Sequence, residues 1–201
     1  MGKILSLWDS INFLRGVKFA RSFLAKNESE ALMYAEKLGF PVVMKLSSPD
    51  VSHKMRKGFV RLSVCKGSVV KVYREIIRKA RGIRIDGIVV QETVSGFPMI
   101  LSVKVDEQFG PVGMVGMGGS YVEETGDVKF FQVPTSKKRF LRSCKELRCY
   151  NSIKKFDLKS LAEMFSVLQE KFIKGNSYEI ELNPVFLNVT GSVAVDARVR
   201  I

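Results

Sequence analysis

The sequence predicts an α+β protein with mixed or antiparallel sheets, arranged as one domain or as two lobes. Helix-like and strand-like segments are interspersed along the 201 residues, and several neighbouring strand candidates lie close enough in sequence to form hairpins. Hydrophobic residues make up 46% of the chain and charged residues 26%, which provides a real core and is not typical of disorder. We therefore expect one ordinary domain or two small lobes.

Two amphipathic helices are predicted in the first half of the chain, at 27–38 and 68–81. In the first, Asn27 and Glu30 have capping-box spacing, apolar residues recur at the helical period, and Gly39 ends the pattern. The second repeats apolar residues at the same period and stops at a glycine.

Strand candidates are short apolar runs bounded by glycine, proline or polar turns. Two further helices are indicated by apolar residues at helical spacing, as at Leu161, Phe165 and Leu168. The predicted strands are 42–46, 59–64, 86–94, 99–105, 112–117, 128–133, 178–182, 185–187 and 193–199, and the further helices are 136–147 and 158–172.

The chain is strongly basic, because 33 Lys and Arg residues outnumber 20 Asp and Glu residues and leave a formal net charge of +13. This excess favours an anionic partner such as nucleotide phosphate, nucleic acid or a membrane surface. The basic stretch 137–155 suits nucleic acid, but lysine and arginine on a helix are more typical of a solvated face. No apolar run reaches the roughly 18 residues of a membrane span, so we expect no membrane association.

Three cysteines, an odd number in a chain of this length, do not suggest a disulfide framework. We expect free thiols and a cytoplasmic protein. Two common nucleotide motifs are absent as well: the chain has no P-loop, and the glycines at 116–119 lack the spacing of a dinucleotide fingerprint. We therefore expect neither a P-loop enzyme nor a Rossmann dehydrogenase.

A hairpin near the C-terminus predicts a cluster of oxygen ligands. If 188–191 is a four-residue loop, Leu187 faces Ser192, and counting back places Asn183 opposite Asp196. Such hard oxygen ligands suit Mg²⁺, which usually takes one or two protein oxygens and completes its octahedron with phosphate and water.

The same strand offers an alternative to the metal site. Glu179 and Glu181 share a face with Asn183 by two-residue alternation. A polar sheet face paired with Arg198 and Arg200 fits this pattern equally well.

Lys45 and His53 are the remaining candidates for chemistry. Lys45 lies in a strand, so alternation points it either to solvent at a sheet edge or into a cleft, where it would pair with phosphate. His53 is the only histidine and lies in a polar loop. Its unperturbed pKa near neutrality suits a nucleophile or proton carrier, whereas many loop histidines are incidental.

Taken together and in order, the motifs resemble the ATP-grasp β subunit of ADP-forming acetyl-CoA (acyl-CoA) synthetases, and more distantly succinyl-CoA synthetase β subunits. The resemblance runs from about Val17 to the C-terminus. The segments that carry it are 39–46 (GFPVVMKL), 48–50 (SPD) with 53–54 (HK), 90–92 (VQE), 108–112 (QFGPV), 116–119 (GMGG), 181–185 (ELNPV) and 195–198 (VDAR).

The resemblance implies an ATP-grasp fold, in which a nucleotide lies between two α+β lobes. It suggests an ATP-grasp domain at 17–201, with a first lobe at about 17–92 and a second at about 93–201, and before this domain we expect an N-terminal helical segment at 1–16. It also implies the cofactors ATP or ADP and Mg²⁺, and a heteromer with a CoA-binding α subunit that makes acyl phosphate.

The resemblance also implies roles for individual residues. His53 would be the phosphohistidine that relays the phosphoryl group from the α subunit toward ADP. The remaining roles are nucleotide binding by Lys45, Gln91, Glu92, Thr93 and Val94, Mg²⁺ binding by Asn183 and Asp196, and a glycine turn at Gly118 and Gly119.

The resemblance implies a ligase subunit in the reaction acyl-CoA + ADP + phosphate ⇌ acid + CoA + ATP. The chain departs from the family after His53–Lys54, where an acidic residue and Gly-Gly-Val are usual and this sequence reads MRKGFV at 55–60. A nucleotide-binding subunit that has lost the relay is therefore one alternative function. A basic nucleic-acid-binding module is another, and we do not expect nucleic acid as the partner.

Overall fold

A computed structural model describes residues 2–51, 54–119 and 126–201 of the chain. Helices and strands are interspersed, as the sequence predicts. In chain order the elements are α1 (Leu7–Phe13), β1 (Ser22–Ala25), α2 (Glu28–Leu38), β2 (Val42–Ser47), β3 (Val60–Val64), α3 (Val69–Lys79), β4 (Gly87–Glu92), β5 (Phe97–Asp106), β6 (Gly110–Met117), β7 (Val128–Gln132), α4 (Lys137–Lys145), α5 (Tyr150–Ile153), α6 (Leu158–Lys174), β8 (Glu179–Asn188), β9 (Gly191–Ala194) and β10 (Ala197–Arg200).

The chain divides into two compact units. The N-terminal unit comprises Ile4–Asn12 and Phe19–Thr93. The C-terminal unit comprises Phe13–Lys18 and Val94–Ile201, with the first residues of the chain.

The N-terminal unit contains a sheet in the order β1-β4-β2-β3, and its strand pairs are antiparallel. One face of this sheet forms a core with α2 and α3, because alternate strand residues such as Met44 and Val90 are fully buried together with Ala31 and Ile76. Helix α2 begins at the predicted cap, where the Asn27 side chain accepts a hydrogen bond from the Glu30 amide at 2.9 Å.

The C-terminal unit contains a sheet in the order β10-β8-β5-β6-β7, with β9 also paired to β8, and its strand pairs are antiparallel. Helices α4 and α6 cover one face through Phe140 and Phe165, whose rings stack at 4.9 Å and meet the Phe131 ring at 5.7 and 5.1 Å. Gly113 on β6 makes room for this cluster, since a Cβ there would lie 2.5 Å from the Phe131 ring. This core packs on one face of the sheet. The polar residues of β8 lie on the opposite face.

The predicted order of helices and strands is confirmed, with four corrections. Strand β1 and the short helix α5 were not predicted. The two predicted strands at 178–182 and 185–187 form the single strand β8, and the predicted strand 193–199 is divided into β9 and β10. Pro184 lies opposite Val195 and has no amide hydrogen, so the ladder loses one hydrogen bond where β9 and β10 separate.

The three cysteines are free, as expected. Burial raises the pKa of the Cys144 thiol to about 12, and burial together with the Asp127 carboxylate does the same for Cys149. Both thiols are therefore protonated at neutral pH. Within the described residues, no helix is long and apolar enough to cross a membrane.

Candidate functional site

Lys45 is a buried lysine in the sheet of the N-terminal unit. Strand β2 lies between β3 and β4, so Lys45 has a partner strand on each side, and its side chain is only 5% exposed. Its Nζ donates a hydrogen bond to Gln91 Oε1 at 2.8 Å. The alternative of a solvent-exposed edge lysine is therefore wrong.

Gln91 connects Lys45 to a third strand. It lies opposite Ser22 of β1, and its Nε2 donates to Ser22 Oγ at 2.9 Å. Ser22 Oγ in turn donates to the Ala20 carbonyl at 2.8 Å. Three side chains thus form a hydrogen-bonded row across β1, β4 and β2, and sequence reasoning did not include Ser22 because β1 is too short to show alternation.

Glu92 is held by Arg21 at the start of β1. The Arg21 amide donates to Glu92 Oε1 at 2.8 Å, and Arg21 Nε donates to Oε2 at 2.6 Å. Burial raises the pKa of this carboxyl, but the hydrogen bonds and charge of Arg21 outweigh it and hold the pKa below its usual value. Glu92 is therefore an anion at neutral pH whose orientation is fixed.

Thr93 and Val94 follow Glu92 outside the sheet. Thr93 is exposed and its Oγ1 donates to the Pro41 carbonyl at 2.7 Å, while Val94 is half-buried. The division between the two units falls between these residues. Their backbone contact with a nucleotide stays a prediction.

His53 lies outside the described residues, so its role as a phosphohistidine stays a prediction. The chain after it is described from Lys54. Gly58 has a φ of +65°, and Phe59 is buried in the core of the N-terminal unit, with Lys79 Nζ 5.6 Å from its ring centroid. Phe59 anchors the end of the loop, and its amide donates to the Lys54 carbonyl at 2.8 Å.

Asn183 and Asp196 are paired across the C-terminal hairpin. Leu187 faces Ser192 as predicted, and the same register continues to an Asn183 amide that donates to the Asp196 carbonyl at 3.3 Å. The predicted four-residue loop is in fact shorter, because Asn188 pairs with Gly191. The register prediction is confirmed, whereas metal binding by the pair stays a prediction.

The oxygen atoms at this position fit a magnesium ion. Asn183 Oδ1 accepts from the Gly119 amide at 2.7 Å, and a carbonyl oxygen has a second lone pair for a cation. Asp196 Oδ1 accepts from the Ala197 amide at 2.9 Å, which orients the carboxylate. Because the described residues contain no group of three His, Cys, Asp or Glu that could hold a metal, Mg²⁺ would complete its shell with phosphate and water.

Glu181 lies near the carboxylates of Glu179 and Asp196. Burial raises the pKa of Glu181, and the neighbouring carboxylates of Glu179 and Asp196 raise it further, while Arg198 and the Asn183 side chain oppose them.

The alternative of a sheet face with paired charges is also partly realised. Arg198 lies opposite Glu181, and Arg200 Nε lies 3.9 Å from Glu179 Oε2. Glu179 therefore belongs to an ion pair, whereas Asn183 and Asp196 lie beyond the arginines along the hairpin.

The glycine turn lies next to Asn183. The Gly118 amide donates to the Pro98 carbonyl at 2.8 Å, and a Cβ at Gly118 would collide with the Met99 backbone. Gly119 has a φ of +76°, a conformation that favours glycine, and this directs its amide to Asn183. The two predicted glycines are thus required by the backbone that orients Asn183.

A family model described as an ATP-grasp domain matches residues 5–201 of this chain. The chain belongs to the ATP-grasp family. Its relatives include ADP-forming acetate–CoA ligases. The Pyrococcus furiosus acetate–CoA ligase [ADP-forming] I subunit beta is 30% identical over 92% of this chain and 85% of its own length. The acetate–CoA ligase [ADP-forming] I of Archaeoglobus fulgidus is 35% identical over 91% of this chain. The chain spans only 28% of the length of that relative.

Solved structures share the ATP-grasp fold of this chain. Acetyl-coenzyme A synthetase 1 of Ca. Korarchaeum cryptofilum, in complex with coenzyme A and Ca-AMPCP, matches with a TM-score of 0.92 and 32% identity, covering 99% of this chain and 93% of that one. Another structure of that enzyme holds coenzyme A and Mg-AMPPCP, with a phosphohistidine segment pointing towards the nucleotide-binding site. It matches with a TM-score of 0.84 and 29% identity, over 99% of this chain and 93% of that one.

Proposed function

We propose that this ATP-grasp chain is the nucleotide-binding β subunit of an ADP-forming acyl-CoA ligase of the acetate–CoA ligase type. It would bind ATP or ADP with Mg²⁺ and transfer a phosphoryl group between the nucleotide and His53. The observation that carries the proposal is the buried Lys45 ammonium, fixed by Gln91 on the strand where the family resemblance expects a phosphate contact. The match to β subunits over 85% of their length supports the subunit assignment.

We propose an N-terminal lobe at about 17–92 and a C-terminal lobe at about 93–201. In the N-terminal unit, Lys45 would neutralise charge on the nucleotide phosphates, while Gln91 to Val94 would contact the nucleoside. In the C-terminal unit, Asn183 and Asp196 would hold Mg²⁺, which supplies charge neutralisation at the phosphates when bound. The hydrogen bond from the Gly119 amide to Asn183 Oδ1, which orients this side chain, supports the role.

The phosphoryl step would need little covalent chemistry from the protein besides the His53 imidazole. In the direction of ATP formation, the phosphorus–nitrogen bond of phosphohistidine breaks and a β-phosphate oxygen of ADP forms the new bond to phosphorus. Lys45 would stabilise the charge on the transferring oxygens, and the neutral imidazole would be the leaving group. In reverse, the imidazole nitrogen attacks the γ-phosphorus of ATP and ADP leaves.

The partner would be a CoA-binding α subunit that makes acyl phosphate, and the pair would act in the cytoplasm. The name subunit beta, carried by a relative of similar length, implies an assembly with a second subunit. The chain spans 28% of the length of two Archaeoglobus fulgidus acetate–CoA ligases, which agrees with a chain that supplies one part of a larger ligase.

The experiment is to incubate the chain with γ-labelled ATP and Mg²⁺, alone and with the proposed α subunit. The proposal expects an acid-labile, base-stable label on the wild type and none on His53→Ala. Equal melting temperatures of the two proteins would show that the variant is folded. Label that persists on His53→Ala would refute the relay residue, and wild type that binds ATP without ever being labelled would favour a subunit that has lost the relay.

A further inference from the structure

Ser22, Gln91 and Lys45 form a polar row across three strands of the N-terminal sheet. Gln91 is 1% exposed and Lys45 is 5% exposed. Ser22 lies directly opposite Gln91, and Gln91 lies opposite Val43, two residues before Lys45 on the same strand face. The contacts of 2.9 and 2.8 Å are therefore one lateral and one diagonal interaction across neighbouring strands.

The Ser22 hydroxyl determines the direction of the hydrogen bonds in this row. Ser22 Oγ donates its only proton to the Ala20 carbonyl at 2.8 Å, so it can only accept from Gln91. This requires the Gln91 amide nitrogen to face Ser22 and its carbonyl oxygen to face Lys45. In the reversed amide orientation, N–H donors would face the Lys45 ammonium, which has no lone pair to accept them.

We propose that Ser22 is a positioning residue for nucleotide binding, which acts through the orientation of Gln91 to hold the Lys45 ammonium in one place. The proposal rests on the proposed function, in which Lys45 contacts nucleotide phosphate. A lysine has a flexible four-carbon stem and acts on phosphate as a point charge, so its contribution depends on where the ammonium is held. Gln91 Oε1 accepts a hydrogen bond from one of the three N–H donors of the Lys45 ammonium. This bond also sets the directions of the other two donors.

The first test is a double-mutant cycle on ADP binding in the presence of Mg²⁺, measured by titration calorimetry with wild type, Ser22→Ala, Lys45→Met and the double variant. Ser22→Ala should weaken ADP binding about five- to tenfold, in line with loss of one buried hydrogen bond. The same substitution should have no effect in the Lys45→Met background, because Ser22 acts through Lys45. An equal loss in both backgrounds would overturn the proposal.

Two matched variants separate positioning from folding. Ser22→Thr keeps the hydroxyl and should bind ADP like the wild type. The Ser68 hydroxyl also donates to a backbone carbonyl, that of Cys65 at 2.9 Å, but Ser68 lies outside the row. Ser68→Ala should therefore leave ADP binding unchanged. Weaker binding by Ser68→Ala equal to that of Ser22→Ala would contradict a specific role of Ser22.

The second test needs no nucleotide. Hydrogen exchange of the Gln91 side-chain amide, followed by nuclear magnetic resonance, should be slow in wild type and Ser68→Ala and at least about tenfold faster in Ser22→Ala, because the acceptor for Nε2 is lost. Equal exchange in wild type and Ser22→Ala would overturn the link between Ser22 and Gln91. If wild type does not bind ADP with Mg²⁺, the proposed function fails, and the exchange experiment still decides whether Ser22 orients Gln91.

Discussion

At the scale of single residues, Asp127 is a buried carboxylate that ties the start of β7 to the segment between α4 and α5. Its two oxygens accept from the backbone amides of Arg148 and Cys149, each at 2.8 Å. Burial raises the pKa of Asp127, but these amides, the Cys149 thiol and the Arg148 charge outweigh it and hold the pKa below its usual value. The ionised form of Asp127 therefore stabilises the fold.

Asp127→Asn should lower the free energy of unfolding by about 1.5–3 kcal/mol at neutral pH, because hydrogen bonds to a charged acceptor are lost. A carboxyl with a depressed pKa stabilises the folded state above its unfolded pKa of about 3.9, and this stabilisation is lost as the pH falls through the folded pKa. Denaturant titrations should therefore show that the deficit of the variant shrinks towards about pH 3. A deficit that is independent of pH would contradict this account.

Asp196→Asn should raise the Mg²⁺ concentration needed for half-maximal ADP binding by about tenfold or more without lowering the melting temperature, because it removes an anionic ligand but keeps the shape. The measurement is ADP binding at a series of Mg²⁺ concentrations. Glu163→Gln, which removes an exposed carboxylate on α6, is the matched control and should behave like wild type. An unchanged Mg²⁺ requirement in Asp196→Asn would make the pair an ordinary part of the sheet.

Among site residues, the pairing of Asn183 with Asp196 could be predicted because register follows from counting two-residue alternation along a hairpin. The burial of Lys45 could not be predicted, because alternation in a strand does not show whether the strand lies at an edge of the sheet or inside it. The structure places β2 between two partner strands. The role of Arg21 in fixing Glu92 was also missed, because the contact joins residues 71 positions apart.

At the scale of helices and strands, local signals predicted the elements that have strong periodicity or a cap. Helix α2 begins after Asn27 as its capping pattern indicates, and α6 follows its apolar stripe. Strand β1 has four residues and is defined by its pairing with β4, a long-range contact that no local pattern records. The short α5 depends in the same way on its tertiary setting, with Ile153 fully buried.

The turn after β6 requires glycine at position 118, because the backbone at Met99 lies too close for a Cβ. Gly118→Ala should lower the free energy of unfolding by about 1–3 kcal/mol, because the new Cβ meets the backbone at Met99, which cannot move aside like a side chain. Gly67→Ala has no atom within 4 Å of the new Cβ and is the control. Denaturant titration that gives the same stability for both variants would contradict the predicted clash.

At the scale of the whole molecule, the net charge of +13 raises the question of nucleic-acid binding, and 137–155 is a strongly basic segment. Lys138, Arg139, Arg142 and Lys145 are exposed on α4. The aromatic residue between them, Phe140, is 1% exposed and packs on Phe165, so it does not offer a surface for base stacking.

We therefore expect only weak binding of single-stranded DNA or RNA, which should disappear at about 0.15 M salt because contacts to phosphate alone weaken steeply as counterions compete. Fluorescence anisotropy with a labelled oligonucleotide at increasing salt is the measurement. Tight, sequence-dependent binding that survives this salt concentration would favour a nucleic-acid-binding module.

The two-lobed α+β class and the family could be predicted from the sequence because several short motifs occur in order, although each alone is unspecific. Residues that only position others, such as Ser22 behind Gln91, carry no motif of their own. Such residues can be identified only from the folded structure, because the row joins residues 22, 45 and 91, which are distant in sequence.

Nucleotide binding through Lys45 can be measured by titration calorimetry of ADP with Mg²⁺ on wild type, Lys45→Met and the control Lys71→Met. The control changes an exposed lysine on α3. The account predicts that wild type and Lys71→Met bind with equal affinity and that Lys45→Met binds about ten- to a hundredfold more weakly, because a charge-assisted contact to phosphate is lost. Equal affinity of wild type and Lys45→Met, or no binding by the wild type, would contradict it.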